Sequence, residues 1–168
     1  MPYTDRFLPL DGLIAHLDTL MPTITDPFLR SQYIGFLSVS VVSVLELCIK
    51  EICIAFAEKK HKSFGAYCAN NLERMNGRIS LKDLKEMHVK KFGEKYQKRF
   101  EATLNASENS SLSSVGVSVK SSYGNLVVWR NSFAHEAILP ANASYAEMRK
   151  GYDAGKRVLE CLKNSLVR

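Results

Sequence analysis

The sequence predicts an all-α protein, an antiparallel up-down bundle of about five or six helices. Apolar residues recur at spacings of three and four over most of the chain, as they do on the buried face of a helix. No clear run alternates with the period of two that is typical of a strand. Short breaks rich in Pro, Asn, Gly or Ser separate the helical segments. With 168 residues, the chain has the length of a single helical domain, residues 1–168.

The first two helices are predicted from their apolar faces and their ends. A first helix covers residues 8–21 and ends before Pro22. Asp26-Pro27 is a strong start for the second helix, because Asp can cap a helix and Pro fits its first position. This helix continues to about Lys60 and would span ~50 Å at 1.5 Å per residue. It can therefore extend beyond a small core and contribute to a surface for a partner.

The middle of the chain contains three predicted features. A shorter helix covers residues 63–75 and is broken by Asn76-Gly77. A further helix covers residues 81–104 and is interrupted near Gly93. The stretch 105–118 is rich in Ser, so it is predicted to be a flexible loop.

The last two helices have clear signals at their ends. One covers residues 119–138, and Pro140 follows shortly after its end. Ser144 and Glu147 have the spacing of a capping box, which predicts a final helix that continues to Leu166.

Composition narrows the possible functions. The net charge of +6 and the pI of about 9.2 favour a polyanionic partner such as nucleic acid. The uncharged part of the most apolar stretch, residues 33–45, is shorter than the ~20 residues of a membrane span. No signal peptide is recognised at the start, so a cytoplasmic protein with no membrane contact is expected.

The cysteines and the other histidines predict no metal site and no cofactor. No two cysteines form a C-x-x-C pair, and each lies in an apolar helical pattern, so buried free thiols are expected. The cysteines are Cys48, Cys53, Cys68 and Cys161. Three histidines, His16, His61 and His88, have no motif around them and are expected at the surface. Glu46 and Lys50 are predicted to form an ion pair along one helix face.

One segment carries residues suited to chemistry, and it reads Trp-Arg-Asn-Ser-Phe-Ala-His-Glu over positions 129–136. At about 100° per residue, Trp129 and Phe133 share a core stripe, and Leu126 and Ala137 extend it. His135 points nearly opposite, and Asn131 lies within about 40° of it. The apolar residues Val127, Val128 and Ile138 flank this second face.

A helix with two apolar faces is expected to be buried on both. One face can pack in its own bundle, and a two-fold copy of the same helix is the simplest partner for the other. Arg130 lies about 140° from His135, but its side chain is long enough to reach towards it. Dimerisation would then bring two Arg–His pairs together in one polar pocket.

These residues resemble the signature of the HEPN superfamily, an Arg usually followed by a polar residue and then a His four to six residues on. Arg130, Asn131 and His135 match it, with four residues between Arg and His. The long early helix, with its Leu-Glu and Lys-Glu pairs at residues 45–51, is similar to the branch of RiboL-PSP-HEPN and related bacterial toxin and defence families. The resemblance covers about residues 27–166.

The resemblance implies a homodimeric, metal-independent endoribonuclease without a cofactor, acting as a toxin or an antiphage effector. Its catalytic residues would be Arg130, Asn131 and His135. Arg130 would hold the phosphate, His135 would transfer a proton, and Asn131 would orient the phosphate or the imidazole. The expected products are a 2′,3′-cyclic phosphate and a 5′-OH. RNA and a cognate antitoxin or inhibitor are the expected partners.

Two questions stay open at this level. A basic stretch could follow the RNA backbone or be an ordinary solvated helix face; its candidate contacts are Lys90, Lys91, Lys95, Lys98 and Arg99. The protein could also be a non-catalytic helical dimer that binds a partner protein or nucleic acid, or a helical subunit that assists a nucleotidyltransferase.

Overall fold

The computed structural model describes residues 3–167, and every regular element in that range is helical. The all-α prediction is confirmed. The described part contains seven α-helices: α1 (Leu8–Leu20), α2 (Pro27–Glu58), α3 (Lys62–Leu72), α4 (Leu81–Asp83), α5 (Glu94–Val115), α6 (Val119–Glu136) and α7 (Tyr145–Leu166). Short 3-10 helices lie at Tyr3–Phe7 and Met21–Thr23.

The helix predicted over residues 81–104 is divided, which raises the number of helices above the expected five or six. The α4 turn continues as a π-helical turn, Leu84–His88, and then as a 3-10 turn, Val89–Phe92. Gly93 follows with a φ of 117°, a conformation that suits glycine and interrupts the helix, as its position predicted. Helix α5 starts directly after it.

The prediction of a flexible loop at residues 105–118 is wrong for most of its length, because α5 continues to Val115. Polar side chains are satisfied within the fold. The Ser111 hydroxyl donates to a main-chain carbonyl six residues on (2.7 Å). The Glu108 carboxylate accepts from a hydroxyl (2.6 Å) and from a main-chain N–H group (2.9 Å) at the start of α6. These contacts offset the low helix propensity of serine, and α5 ends at Gly116, which has a φ of 66°.

Side-chain caps begin the long helices where the sequence predicts them. Asp26 Oδ1 accepts from the Phe28 N–H (2.8 Å) at the start of α2. Ser144 Oγ accepts from the Glu147 N–H (3.2 Å) at the start of α7. Each cap satisfies a main-chain donor that has no partner inside the helix.

Helix α2 is the central element of the core. Helices α3, α6 and α7 pack against it, and α5 packs against α7. The side chains of Leu37, Val41, Leu45 and Ile49 are almost fully buried on α2. None of the helices in residues 3–167 is both long and apolar enough to cross a lipid bilayer.

One side of the first half of α2 leaves large apolar side chains in solvent. The exposed fractions are 67% for Phe28, 47% for Leu29, 41% for Tyr33 and 72% for Phe36. Exposed apolar groups clustered on one helix mark a surface suited to a partner.

The cysteine prediction is confirmed, but one histidine prediction is wrong. All four cysteines are free and buried, and burial raises the pKa of the Cys48 thiol to about 12. His88, expected at the surface, is buried. Its Nε2 lies 2.8 Å from the Arg78 carbonyl oxygen, and burial lowers its pKa. His88 is the last residue of the π-helical turn, and its ring is buried there.

Candidate functional site

Helix α6 carries the Arg–His segment, and aromatic side chains fix it on the bundle. Trp129 is almost fully buried, as the predicted core stripe requires. The half-buried Phe133 ring packs directly on Gly35 of α2, where an added Cβ would lie 2.1 Å from the ring. The helix ends at Glu136, so Ala137 lies beyond the core stripe that was predicted to include it and is exposed.

The second face of α6 is open to solvent in the single chain. Asn131 and His135 are exposed, and so are Val128 (55%) and Ile138 (64%). Val127, predicted to flank this face, instead turns into the core and is 6% exposed. Polar and apolar groups therefore alternate on an uncovered surface of the last turns of α6.

The structure brings Arg130 and Asn131 together. Arg130 Nη1 donates to Asn131 Oδ1 at 2.8 Å. The rest of the guanidinium lies against Gly77, since an added Cβ there would lie 2.0 Å from Arg130 Nη2. Gly77 has a φ of 75°, and its lack of a side chain makes room for this contact.

The structure forms no hydrogen bond between His135 and either of these two residues. Within residues 3–167, the His135 side chain takes part in no hydrogen bond and no ion pair. In the single chain, its imidazole faces solvent with both nitrogens available to a ligand.

A pinned turn, residues 73–79 between α3 and α4, supports Arg130. Glu46 Oε2 accepts from the Gly77 N–H at 2.8 Å. Glu46 Oε1 lies 2.9 Å from Lys50 Nζ, which confirms the predicted ion pair. Lys50 Nζ also donates to the Glu73 carbonyl oxygen at 3.3 Å. One ion pair on α2 therefore holds both the beginning and the middle of the pinned turn.

Two buried rings hold the end of the pinned turn. The Tyr123 hydroxyl donates to the Ile79 carbonyl oxygen at 2.6 Å, and burial raises the pKa of this hydroxyl. His88 Nε2 is hydrogen-bonded to the Arg78 carbonyl oxygen. Four side chains thus fix the backbone on which the Arg130 guanidinium rests.

Sequence reasoning missed the supporting roles of Gly77 and Glu46. The Asn-Gly pair predicts a turn, and both residues have positive φ, 48° for Asn76 and 75° for Gly77. No local pattern shows that a side chain from α6 would lie on that turn. Glu46 was predicted as a partner of Lys50 alone.

The basic group at residues 90–99 follows a segment that packs beside the second half of α2. The Phe92 ring centroid is 5.1 Å from that of Phe56, which lies ~15 Å further along α2 than Glu46. Lys90 pairs with Glu86 (3.5 Å). The other members of this group are Lys91, whose Nζ donates to Asn71, Arg99, whose Nη1 donates to Val167, and the exposed Lys95 and Lys98.

The pinned turn itself carries two cations that the sequence reasoning did not select. Arg74 and Arg78 are exposed and belong to the pinned turn. No carboxylate in residues 3–167 lies within 4.0 Å of either guanidinium. Over the same residues, no three His, Cys, Asp or Glu side chains form a group that could hold a metal ion.

A helical chain that carries an Arg–polar pair and a His five positions after the Arg on its penultimate helix is similar to proteins of the HEPN class. The family model described as RiboL-PSP-HEPN matches residues 10–168. The chain therefore belongs to the RiboL-PSP-HEPN family of this superfamily, as the resemblance implied. Comparisons with curated proteins and with solved structures found no match.

Proposed function

We propose that the protein is a metal-independent endoribonuclease built around Arg130, Asn131 and His135. The observation that supports this most directly is the held guanidinium of Arg130. It is half-buried on the backbone of Gly77 and bonded to Asn131, while the imidazole of His135 is exposed one and a half turns later on the same helix. A fixed cation and a free proton carrier on the same helix are the two groups that phosphodiester cleavage requires.

The proposed chemistry uses the nucleophile that RNA itself carries. The 2′-oxygen attacks the neighbouring phosphorus, and the bond from phosphorus to the 5′-oxygen breaks. The proton of the 2′-OH is removed and a proton is delivered to the leaving 5′-oxygen, with His135 as one of these proton carriers. Arg130 stabilises the additional negative charge on the phosphate. The products are a 2′,3′-cyclic phosphate and a 5′-OH.

The pinned turn gives Arg130 its role in this proposal. A guanidinium that moves freely in water loses conformational entropy when it binds a phosphate, whereas one that is already positioned loses less. Gly77 and Asn131 restrict Arg130 before RNA arrives. They act as positioning residues.

A homodimer completes the site in the proposal. On α2, the positions 29, 33, 36, 40, 43 and 47 follow alternating spacings of four and three, the pattern of a helix–helix seam. The apolar members of this α2 stripe are exposed, with Leu47 at 43%. Phe133 of α6 packs on Gly35 in the same half of α2, so α6 and this half of the stripe belong to neighbouring helices. In the proposal, a second copy covers both the stripe and the open face of α6 and places two His135 side chains near one another.

RNA contacts are proposed in two places. Arg74 and Arg78 are exposed on the pinned turn that carries the Arg130 guanidinium, and in the proposal they bind phosphates next to the cut. The basic group at residues 90–99 is a second contact, further along α2. Within this group, Lys90 forms an ion pair with Glu86, and the remaining positive charge is free to contact an RNA backbone.

The biological setting in the proposal is a bacterial toxin or antiphage effector controlled by a cognate inhibitor. The alternative is a non-catalytic helical dimer that binds a protein or nucleic acid. An exposed His135 without a hydrogen-bond partner among residues 3–167 is also what such a binding module would show.

An RNA cleavage assay in EDTA separates the two. The proposal expects wild type to cut single-stranded RNA, whereas His135→Ala and Arg130→Ala each lose on the order of 10²–10⁴ in rate. His16→Ala, which removes an exposed histidine of α1, is the matched control and is expected to keep full activity. Equal cleavage by wild type and His135→Ala, or none by wild type, would exclude the nuclease.

A further inference from the structure

A cavity lies on the face of α2 opposite the pinned turn. It has a volume of about 690 Å³, within the range of small-molecule sites. Its walls come from the first 3-10 helix, the end of α2 and the end of α7. At 100° per residue, its α2 residue Ala55 lies about 180° around the helix from Glu46, which holds the pinned turn. The cavity is therefore separate from the Arg130 site.

The rim of this α2–α7 cavity carries an excess of positive charge. Lys59, Lys60 and Lys163 line it, and no carboxylate in the described residues 3–167 lies within 4.0 Å of their ammonium groups. Glu51 also lines it, but its carboxylate is paired with Arg6 through contacts of 2.8 and 2.6 Å. Among the residues that the structure describes, three cations around one opening therefore have no carboxylate partner.

The floor of the α2–α7 cavity is apolar and partly aromatic. Ile52, Ala55 and Phe56 of α2 form one side, with Leu166 of α7 and Tyr3 nearby. Lys60 Nζ lies 5.2 Å from the Phe56 ring centroid, and Lys163 Nζ lies 5.7 Å from that of Tyr3. The ammonium groups are therefore held at the edge of the apolar floor, where an anionic group of a ligand would meet them.

We propose that this cavity binds a nucleotide with a terminal phosphate monoester, its base on the apolar floor and its phosphate between the three lysines. A phosphate monoester carries close to two negative charges at neutral pH, so it matches three unpaired cations better than a carboxylate does. Aromatic and aliphatic side chains pack well against a flat base. The source is either a free mononucleotide or the 5′-phosphorylated end of an RNA strand.

Calorimetric titration of the full chain tests this. The probes are AMP, GMP, CMP and UMP, a 5′-phosphorylated 2′-O-methyl RNA that cannot be cut, and the same RNA without the phosphate. Binding of a mononucleotide assigns a free ligand, and binding of the phosphorylated RNA alone assigns an RNA end. The proposal is overturned if no phosphorylated probe binds. It is also overturned if no mononucleotide binds and the RNA binds equally with and without its phosphate. Binding of decanoate instead of the phosphorylated probes would overturn it as well.

Variants tie the binding to the cavity. Lys59→Glu/Lys163→Glu is expected to weaken it by about tenfold or more, since two charged contacts are lost. Ala55→Trp, at an exposed position, is expected to block it by filling the floor. Lys62→Glu/Lys82→Glu reverses two exposed lysines outside the cavity, and unchanged binding is expected. If binding survives in both cavity variants, the proposal is overturned. Arg130→Ala is expected to bind the same probes normally, so this test does not depend on the outcome of the ribonuclease proposal.

Discussion

The guanidinium of Arg130 lies directly on the backbone of Gly77, a residue whose φ is 75°. The Gly77 N–H donates to Glu46, so the α-carbon under the guanidinium is fixed to α2 by a hydrogen bond. This arrangement leaves no space for a side chain at position 77. The position of the proposed catalytic cation therefore depends on a glycine far away in the sequence.

We expect Gly77→Ala to abolish most of the proposed RNA cleavage without unfolding the protein. The new Cβ would lie 2.0 Å from Arg130 Nη2, so the guanidinium must move. A displacement of about 1 Å at such a group can lower the rate on the order of 10²-fold. Cleavage rate and melting temperature, measured together, check this outcome.

Gly116→Ala is the matched control for that variant. Gly116 has a similar φ of 66°, but nothing lies within 4 Å of an added Cβ. In both variants, the new Cβ is strained in the left-handed backbone conformation, so the free energy of unfolding should fall by about 1–2 kcal/mol. Only Gly77→Ala should lose activity, and equal activity losses would show that Arg130 placement is not the cause.

Local chemistry predicts much of this fold but not the support of the site. Asp26 and Ser144 cap helices where the sequence places them, because capping depends on groups within a few residues. The end of α5 was missed because Ser111 and Glu108 make hydrogen bonds with the segment that leads into α6, which no local pattern shows. The motif predicts Arg130, Asn131 and His135 as candidates. The contact between Arg130 and Gly77 joins distant segments, so only the folded chain shows it.

Ala137→Gly is expected to stabilise the protein. Ala137 ends α6 in the left-handed conformation, with a φ of 56°, and its N–H donates to the Phe133 carbonyl oxygen (2.9 Å). Glycine adopts this conformation without the steric cost of a Cβ, so the unfolding free energy should rise by about 1 kcal/mol. For a chain of this size, the melting temperature should rise by roughly 2–4 °C.

Ala102→Gly gives the opposite control in the same thermal experiment. Ala102 is exposed inside α5, where glycine costs about 1 kcal/mol relative to alanine. A lower melting temperature for both variants would contradict the role of Ala137 as a strained helix end.

His88 is expected to make the stability of the protein depend on pH. Burial lowers its pKa below the ordinary value of 6.5, so the unfolded chain takes up a proton before the folded chain does. The stabilisation is complete above pH 6.5 and is lost as the pH falls from there through the folded pKa. Urea unfolding at several pH values between 8 and 5 measures the slope of the unfolding free energy against pH.

His88→Gln should flatten this pH dependence, because the amide can still donate to the Arg78 carbonyl oxygen but does not titrate. His16→Gln changes an exposed histidine of α1 and should leave the slope as in wild type. An unchanged slope in His88→Gln would assign the acid sensitivity to other groups.

Phe36→Asp tests whether a second copy completes the site. Phe36 is 72% exposed, so a charge there should change the melting temperature of a single chain little. If copies meet along the α2 stripe, two aspartates would instead be buried in the interface, and light scattering should show monomers. Tyr67→Asp alters a similarly exposed aromatic residue on α3 (64%) and should stay dimeric.

Monomers of Phe36→Asp that cut RNA at the wild-type rate would show that one chain carries the whole site. A variant that is still dimeric would place the interface elsewhere. If Phe36→Asp keeps its fold but loses both the dimer and RNA cleavage, the site would need His135 from both chains.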